Sequence, residues 1–314
     1  MTATSDRPTS KPPRLRSADA APRASGAAWA ALGIVYVVWG STYLAIRVTV
    51  ETVPPMLSAA ARFLCAGLLL AALLSARQGP RVLKVSAREL GSAALVGLML
   101  LVGGNGLVVF AERSVPSGLA ALLVAVVPLW VVLLRRATGQ RTPAMTVLGV
   151  AVGLVGLGVL TVPGISGQVQ LSGMLTVVGA TVLWSSGSFL AARLPMPGNA
   201  LVASVYEMLA GGLGALALAL LRGEPTAFHP AAVSTGSWVA LGYLIVFGSL
   251  IAFTAYAWLL QHAPLPLVAT YAYVNPVVAV FLGWLLLSEP LTWPILLGGA
   301  IVVGGVCLVV RTEK

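Results

Sequence analysis

PTAFHPAAVSTGSWVALGYLIVFGSLIAFTAYAWLLQHAPLPLVATYAYVNPVVAVFLGWLLLS, residues 225–288, runs for 64 residues without one Asp, Glu, Lys or Arg. A helix needs about 20 apolar residues to cross a bilayer. The stretch therefore holds two spans with a turn between them, near 238–260 and 265–287. The rest of the chain has the same character, with 9% charged and 58% hydrophobic residues and a mean hydropathy of +0.96. A soluble globular protein carries roughly 25% charged residues to face water, so that class is excluded.

Five further stretches are uncharged: Ala24 to Ile46, Leu90 to Ala111, Ser114 to Leu134, Thr142 to Ala192 and Pro290 to Val310. The shortest have 21 residues, and Thr142 to Ala192, with 51, holds two spans. Two more segments are apolar but interrupted once, Pro55 to Ala76 by Arg62 and Asn199 to Leu221 by Glu207. The expected fold is an all-α integral membrane protein with ten helices, near 28–46, 55–76, 90–111, 117–134, 143–162, 171–192, 199–221, 238–260, 265–287 and 292–310.

A net charge of +10 raises the question of nucleic acid. Threaded through ten spans, fifteen of the nineteen Lys and Arg fall on the side of both termini, and Arg47, Arg113 and Arg222 fall on the other. Basic loops stay in the cytoplasm, so the excess is read as a topology signal with both termini cytoplasmic, and no nucleic-acid partner is expected. Residues 1–27, rich in Pro, Ser, Arg and Ala, read as a disordered cytoplasmic tail. The first apolar run is longer and starts later than that of a cleavable signal peptide. Cys65 and Cys307 lie inside apolar spans and suggest neither a disulfide framework nor a metal site.

The chain also repeats itself. At an offset of 145, Trp39 falls on Trp184, Ser41 on Ser186, Arg62 on Glu207, Leu64 on Leu209 and Gly67 on Gly212. Pro116 and Pro128 match Pro264 and Pro276 at 148, and Gly149, Ala151 and Gly156 match Gly298, Ala300 and Gly305 at 149. The repeats cover 28–162 and 171–310, five spans each. With an odd number of spans, the second must enter the membrane from the opposite side. Two inverted five-helix repeats are a common plan of secondary transporters, whose substrate site lies near the midplane between them.

Several motifs then point to a family. Trp39-Gly40-Ser41-Thr42-Tyr43, Pro54-Pro55 followed by Ala61-Arg62-Phe63-Leu64 and Ala66-Gly67, Gly103-Gly104-Asn105-Gly106, Val115-Pro116-Ser117-Gly118 and Tyr271-Ala272-Tyr273-Val274-Asn275-Pro276-Val277-Val278 resemble the EamA family of the drug/metabolite transporter superfamily. The motifs are short and apolar. Their order and spacing over about residues 30–310 carry the resemblance. It implies ten helices, a central cavity between the halves, and export of small metabolites or drugs, amino-acid-like solutes foremost, across the bacterial cytoplasmic membrane.

Arg62 and Glu207 are the two charges well inside spans, and an ionisable residue at that depth is a functional candidate. At about 1.5 Å per residue they sit about 10 Å from opposite faces of a core roughly 30 Å thick. They are expected to face the cavity, as a pair or as two poles for a zwitterion, with Glu207 the proton-coupling carboxylate. The structural alternative is that Arg62 snorkels outward and Glu207 bonds nearby hydroxyls. Pro128 and Pro276 each lack the N–H that would bond the carbonyl four residues back, at Val124 and Ala272. Such helix breaks present backbone polar groups or act as hinges, although a simple packing kink has the same origin. Trp39, Ser41, Thr42, Tyr43, Asn105, Trp184, Ser185, Ser188, Thr254, Tyr256, Tyr271, Tyr273 and Asn275 complete a mostly apolar binding-site lining with a few polar groups.

The spans 143–162 and 292–310 are Gly-rich and aliphatic. Gly149 with Gly153, and Ala300 with Gly304, have the four-residue spacing of close helix contact. These faces join either the two halves or two protomers of a homodimer. No phosphate-binding Gly-rich loop and no cytoplasmic nucleotide-binding domain are present, and no cofactor is expected. Histidine is limited to His229 and His262, and Asp to Asp6 and Asp19 in the tail, a poor supply for a membrane enzyme. The reading is a secondary transporter rather than an enzyme, with the bilayer and a small solute as partners. A passive facilitator is the rival, and a polytopic enzyme or scaffold the lesser alternative.

Overall fold

The computed structural model describes residues 26–139, 143–165, 169–263, 268 and 271–312. Residues 1–25 of the expected tail, and Pro264 of the repeat pattern, lie outside the described residues. All regular structure among the described residues is helical. The long helices are α1 (Gly26–Val50), α2 (Pro55–Gln78), α3 (Ala87–Ala111), α4 (Ser117–Ala137), α5 (Ala144–Ile165), α6 (Leu171–Ala191), α7 (Ala200–Leu221), α8 (Thr235–Leu260), α9 (Tyr271–Leu287) and α10 (Trp293–Thr312). Seven of them, α1 to α4 and α6 to α8, are long and apolar enough to cross a membrane. Three further apolar runs, Ala144–Leu160, Val274–Leu287 and Trp293–Val309, lie in α5, α9 and α10.

Local chemistry sets where the helices begin. Pro54 and Pro55 open α2, where a missing N–H costs nothing. Ser86 Oγ accepts from Glu89 N at 3.2 Å and Glu89 Oε2 from Ser86 N at 2.7 Å, a reciprocal cap on α3. Asn199 caps α7 and Ser234 caps α8 through their side-chain oxygens. Two caps come from far away in sequence. Glu224 Oε2 accepts from Leu57 N at 2.9 Å in the first turn of α2. Glu289 accepts from Ser117 N, Ser117 Oγ and Gly118 N at 2.8, 2.8 and 3.0 Å at the start of α4. A carboxylate at a helix N-terminus satisfies orphan donors and meets the positive end of the dipole.

Large apolar side chains cover both the inside and the outside. Phe63, Leu100, Leu101, Leu129, Met174 and Met208 are fully buried between helices, while Trp29, Leu68, Leu213, Val239, Trp284 and Trp293 point outward. An apolar exterior of this extent suits hydrocarbon and not water.

The contacts between the repeats are reciprocal. A methyl group at Gly67 of α2 would lie 3.1 Å from Leu209 of α7, and one at the matching Gly212 would lie 2.7 Å from Leu64. In α5 and α10, a methyl at Gly149 would come within 2.8 Å of the Gly305 carbonyl oxygen, and one at Gly156 within 3.0 Å of that of Gly298. Since Gly149 matches Gly298 and Gly156 matches Gly305, each residue meets the other's counterpart, as a two-fold relation requires. The tight face of α10 is therefore Gly298 and Gly305. This corrects the expectation of Ala300 and Gly304: Ala300 is exposed and nothing lies within 4 Å of a methyl at Gly304. The close contact is made within one chain.

Candidate functional site

A small cavity of about 60 Å³ lies among the helices. Its walls come from both repeats: Trp39, Tyr43 and Ile46 of α1, Arg62 and Phe63 of α2, Asn105 and Val108 of α3, Val124 and Val127 of α4, Thr181 and Trp184 of α6, Gly248 and Phe253 of α8, and Tyr271 and Asn275 of α9.

Four aromatic rings cluster on one side, with Trp39, Trp184 and Tyr271 in the wall and Tyr256 packed against them. Trp39 meets Trp184 edge to face with centroids 5.7 Å apart, Tyr256 at 4.9 Å and Tyr271 edge to face at 5.5 Å. Tyr256 lies 6.0 Å from Trp184 and 5.8 Å from Tyr271. Such separations are the favoured ones for aromatic pairs. Trp39 Nε1 donates to the Gly248 carbonyl at 3.2 Å, whereas the buried Trp184 Nε1 has no acceptor in the protein. Ser188 supports the wall from behind, with its Oγ 3.3 Å from the Tyr256 hydroxyl.

Arg62 also lines the cavity. It is only 3% exposed. Its Nε donates to Ser249 Oγ at 2.7 Å and its Nη1 to Asn105 Oδ1 at 3.2 Å, and the guanidinium carbon lies 4.8 Å from the Phe63 ring centroid. Both acceptors are neutral, and among the described residues no carboxylate lies within ion-pair distance of the guanidinium. The partners of Arg62 sit on matching pieces of the repeats. Helix α3 widens into π-type turns over Leu98–Gly106, and α8 does so over Leu244–Ile251. Wide turns of this kind interrupt the regular hydrogen-bond ladder and recur at functional sites. Asn105 and Ser249 project from them on either side of the guanidinium.

Several expected site residues stand elsewhere. Glu207 is buried but does not line the cavity, and it is not brought together with Arg62: no hydrogen bond or ion pair joins the two described side chains. Helix α3 crosses α7 at this point so closely that a methyl at Gly97 would lie 2.3 Å from the Glu207 carbonyl oxygen. Ser41 bonds Val38 O and the Tyr243 hydroxyl at 2.8 and 2.6 Å, holding α1 to α8 rather than facing the cavity. The side chain of Tyr273 lies outside the described residues.

The two prolines differ. Helix α4 is interrupted at Ala125 and Val126, just before Pro128, where Val126 N turns to the Leu123 carbonyl. Helix α9 runs unbroken through Pro276, a correction to the break expected there. Asn275 stabilises that turn: in the amide orientation that suits its surroundings, Nδ2 donates to the Tyr36 and Tyr271 carbonyls at 3.2 and 3.3 Å.

Sequence reasoning missed Ser249, the π-type turns and Glu112. Glu112 lies one residue beyond α3 and is completely buried. The signal that could have found it is spacing. Asn105, Val108 and Glu112 stand three and then four residues apart, on one helical face.

Residues 25–162 and 171–311 each match the EamA-like transporter family. The chain is 41% identical over 263 residues to "Uncharacterized inner membrane transporter YedA" of Escherichia coli K12, covering 83% of each protein. It is 30% identical to "Probable terminal-alkyne amino-acid exporter" of Streptantibioticus cattleyicolor, covering 91% of this chain and 94% of that one. A crystal structure at 22% identity superposes with a TM-score of 0.66, covering 93% of this chain and 100% of that one, a likeness of fold. Two copies of the family's repeat and these relatives establish that the chain is a multi-pass membrane protein belonging to the EamA-like transporter family.

Proposed function

We propose that the protein is a secondary transporter of the cytoplasmic membrane that exports amino-acid-like solutes by alternating access. In this reading all ten long helices cross the bilayer, as two inverted five-helix halves with both termini cytoplasmic. The skew of basic residues supports that orientation, and the reciprocal glycine contacts support the inversion. The solute sits in the central cavity while the halves rock around it.

The observation that carries the reading is Arg62, buried in a cavity wall with only neutral acceptors. A buried cation without a counter-ion is costly. A solute carboxylate supplies the missing anion through charge-assisted bonds. The rings of Trp39, Trp184 and Tyr271 take the ammonium pole, since aromatic faces attract desolvated cations. The relative named an amino-acid exporter supports the same solute class.

Purified protein in liposomes, presented with a panel of amino acids and cationic drugs with and without a pH gradient, tests this. Carboxylate-bearing solutes accumulated against their gradient support the proposal. Movement only down the solute's own gradient, unchanged by the pH gradient, supports a passive facilitator instead. Conversion of any solute to a new compound would reject both.

A further inference from the structure

Glu112 is the buried ionisable group that the solute site does not use. It is 0% exposed, and neither carboxyl oxygen has a hydrogen-bond partner. Three other glutamates are provided for: Glu289 accepts three hydrogen bonds, Glu224 one with an Arg222 ion pair at 3.7 Å, and Glu89 one from Ser86 N. Burying an ionised carboxylate with no donor costs several kcal/mol, roughly, and the group takes a proton instead.

Its position relates it to the cavity. Asn105 and Val108 line the cavity, and Glu112 continues their face of the helix, with its own N donating to the Val108 carbonyl at 2.9 Å. It sits one turn beyond Val108, at the end where Glu289 caps Ser117 and Gly118. The charged and titratable groups facing it come from three directions: Tyr43 and Arg47 of α1, Arg62 of α2, and Glu289 between α9 and α10. Arg113 follows it in the chain. Arg47 donates to the backbone carbonyl of Glu112 and not to its carboxyl. A strong donor is therefore present at this residue but engaged on its backbone.

We propose that Glu112 is a proton-binding site that closes this end of the cavity. With the carboxyl protonated, the end is packed dry as seen here. On ionisation the O–H bond breaks, the proton passes to water and the carboxylate takes the electron pair. The new charge then needs donors, which arrive as the Arg47 guanidinium leaves the carbonyl for the carboxylate and as water enters beside Val108. Burial, first, and the neighbouring Glu289 charge push the Glu112 carboxyl well above the usual carboxylate range, against the opposing pull of Arg47 and Arg62. Proton release and opening are thus one event. This inference rests on the transporter reading for its use, because a gate matters only if a solute passes.

The test does not require transport. In a Cys65→Ser/Cys307→Ser background, Val108→Cys is labelled in liposomes by a membrane-impermeant thiol reagent, with Glu112 intact or as Glu112→Gln. The ratio of the two rates at each pH cancels the thiol's own ionisation. It is expected to be near unity in acid and to climb about tenfold per pH unit until Glu112 is ionised, the slope of a single titrating group. A flat ratio overturns the proposal. Glu112→Asp, which keeps an acid, is expected to retain the rise, and it carries the test if the Gln protein does not fold. Infrared spectra in lipid give a second readout, in which one component of the protonated-carboxyl absorption at neutral pH disappears in Glu112→Gln and remains in Glu207→Gln. A band unchanged in Glu112→Gln also overturns the proposal. A wild type that moves no tested solute while labelling still follows pH would reject the transporter reading and leave the gate in place.

Discussion

Trp39 and Trp184 occupy the same position in the two repeats and meet edge to face, 5.7 Å apart. They are equal in sequence and unequal in bonding. The Trp39 N–H is held by the Gly248 carbonyl, and the Trp184 N–H is unpaired. Trp39→Phe therefore leaves a buried carbonyl without its donor and is expected to lower stability by about 1 kcal/mol. Trp184→Phe removes a donor that bonds nothing and is expected to leave stability nearly unchanged. Thermal unfolding of both variants in detergent separates them, and equal losses would contradict the asymmetry.

Arg62 predicts a chemical preference. Arg62→Gln keeps a polar group near Ser249 and Asn105 but cannot offer a positive charge to a carboxylate. Kd for an amino acid that binds the wild type is expected to rise about 10- to 100-fold, matching about 1.5–3 kcal/mol for a charge-assisted bond. The corresponding amino-acid amide, which lacks the carboxylate, should lose little. Calorimetry with the two ligands checks this, and equal losses for both would argue against a carboxylate at Arg62.

Much of the helix layout was legible because an apolar run of spanning length has few other uses. The repeat was legible from Trp39 and Trp184, and from glycines that now prove to touch. Helix rotation was not. A helix that is apolar all round has no periodic polar face to say which side turns inward, so no such pattern stood behind the expectation for Glu207, which is not among the residues that line the cavity. The π-type turns were hidden for a related reason: Leu98–Gly106 and Leu244–Ile251 are made of residues that an ordinary helix also accepts. Glu112 was hidden by its address, one residue past an apolar run, where most charges are solvated.

Glu112 also makes stability depend on pH. Its carboxyl holds the proton more tightly in the folded protein than an ordinary Glu does, about pH 4.3. Below that value both states are protonated and the group has no effect. As pH rises above it the unfolded chain ionises first, so stability falls until the native carboxyl also ionises. The wild type is expected to lose thermal stability steadily on the alkaline side of the ordinary carboxylate range. Glu112→Gln should show a flatter profile over that window, measured as Tm in detergent across a pH series. Parallel profiles would mean that Glu112 is not the group being titrated.

The α5 and α10 contact gives a prediction about shape alone. Gly305 lies so close to α5 that a methyl there would meet Gly153 N at 2.6 Å and the Gly149 carbonyl at 2.7 Å. These are backbone atoms that cannot rotate away, so Gly305→Val must push the helices apart. Overpacking of this kind costs about 1–3 kcal/mol. Gly304, its neighbour in sequence, faces open space, and Gly304→Ala is expected to be neutral or slightly stabilising because Ala is the better helix former by about 1 kcal/mol. The two variants differ in composition by only a few methyl groups, yet their thermal unfolding should move apart, with Gly305→Val well below the wild type. If Gly304→Ala were the damaging one, α10 would have to present its other face to α5, and the reciprocal pairing of Gly149 with Gly305 and Gly156 with Gly298 would be lost with it.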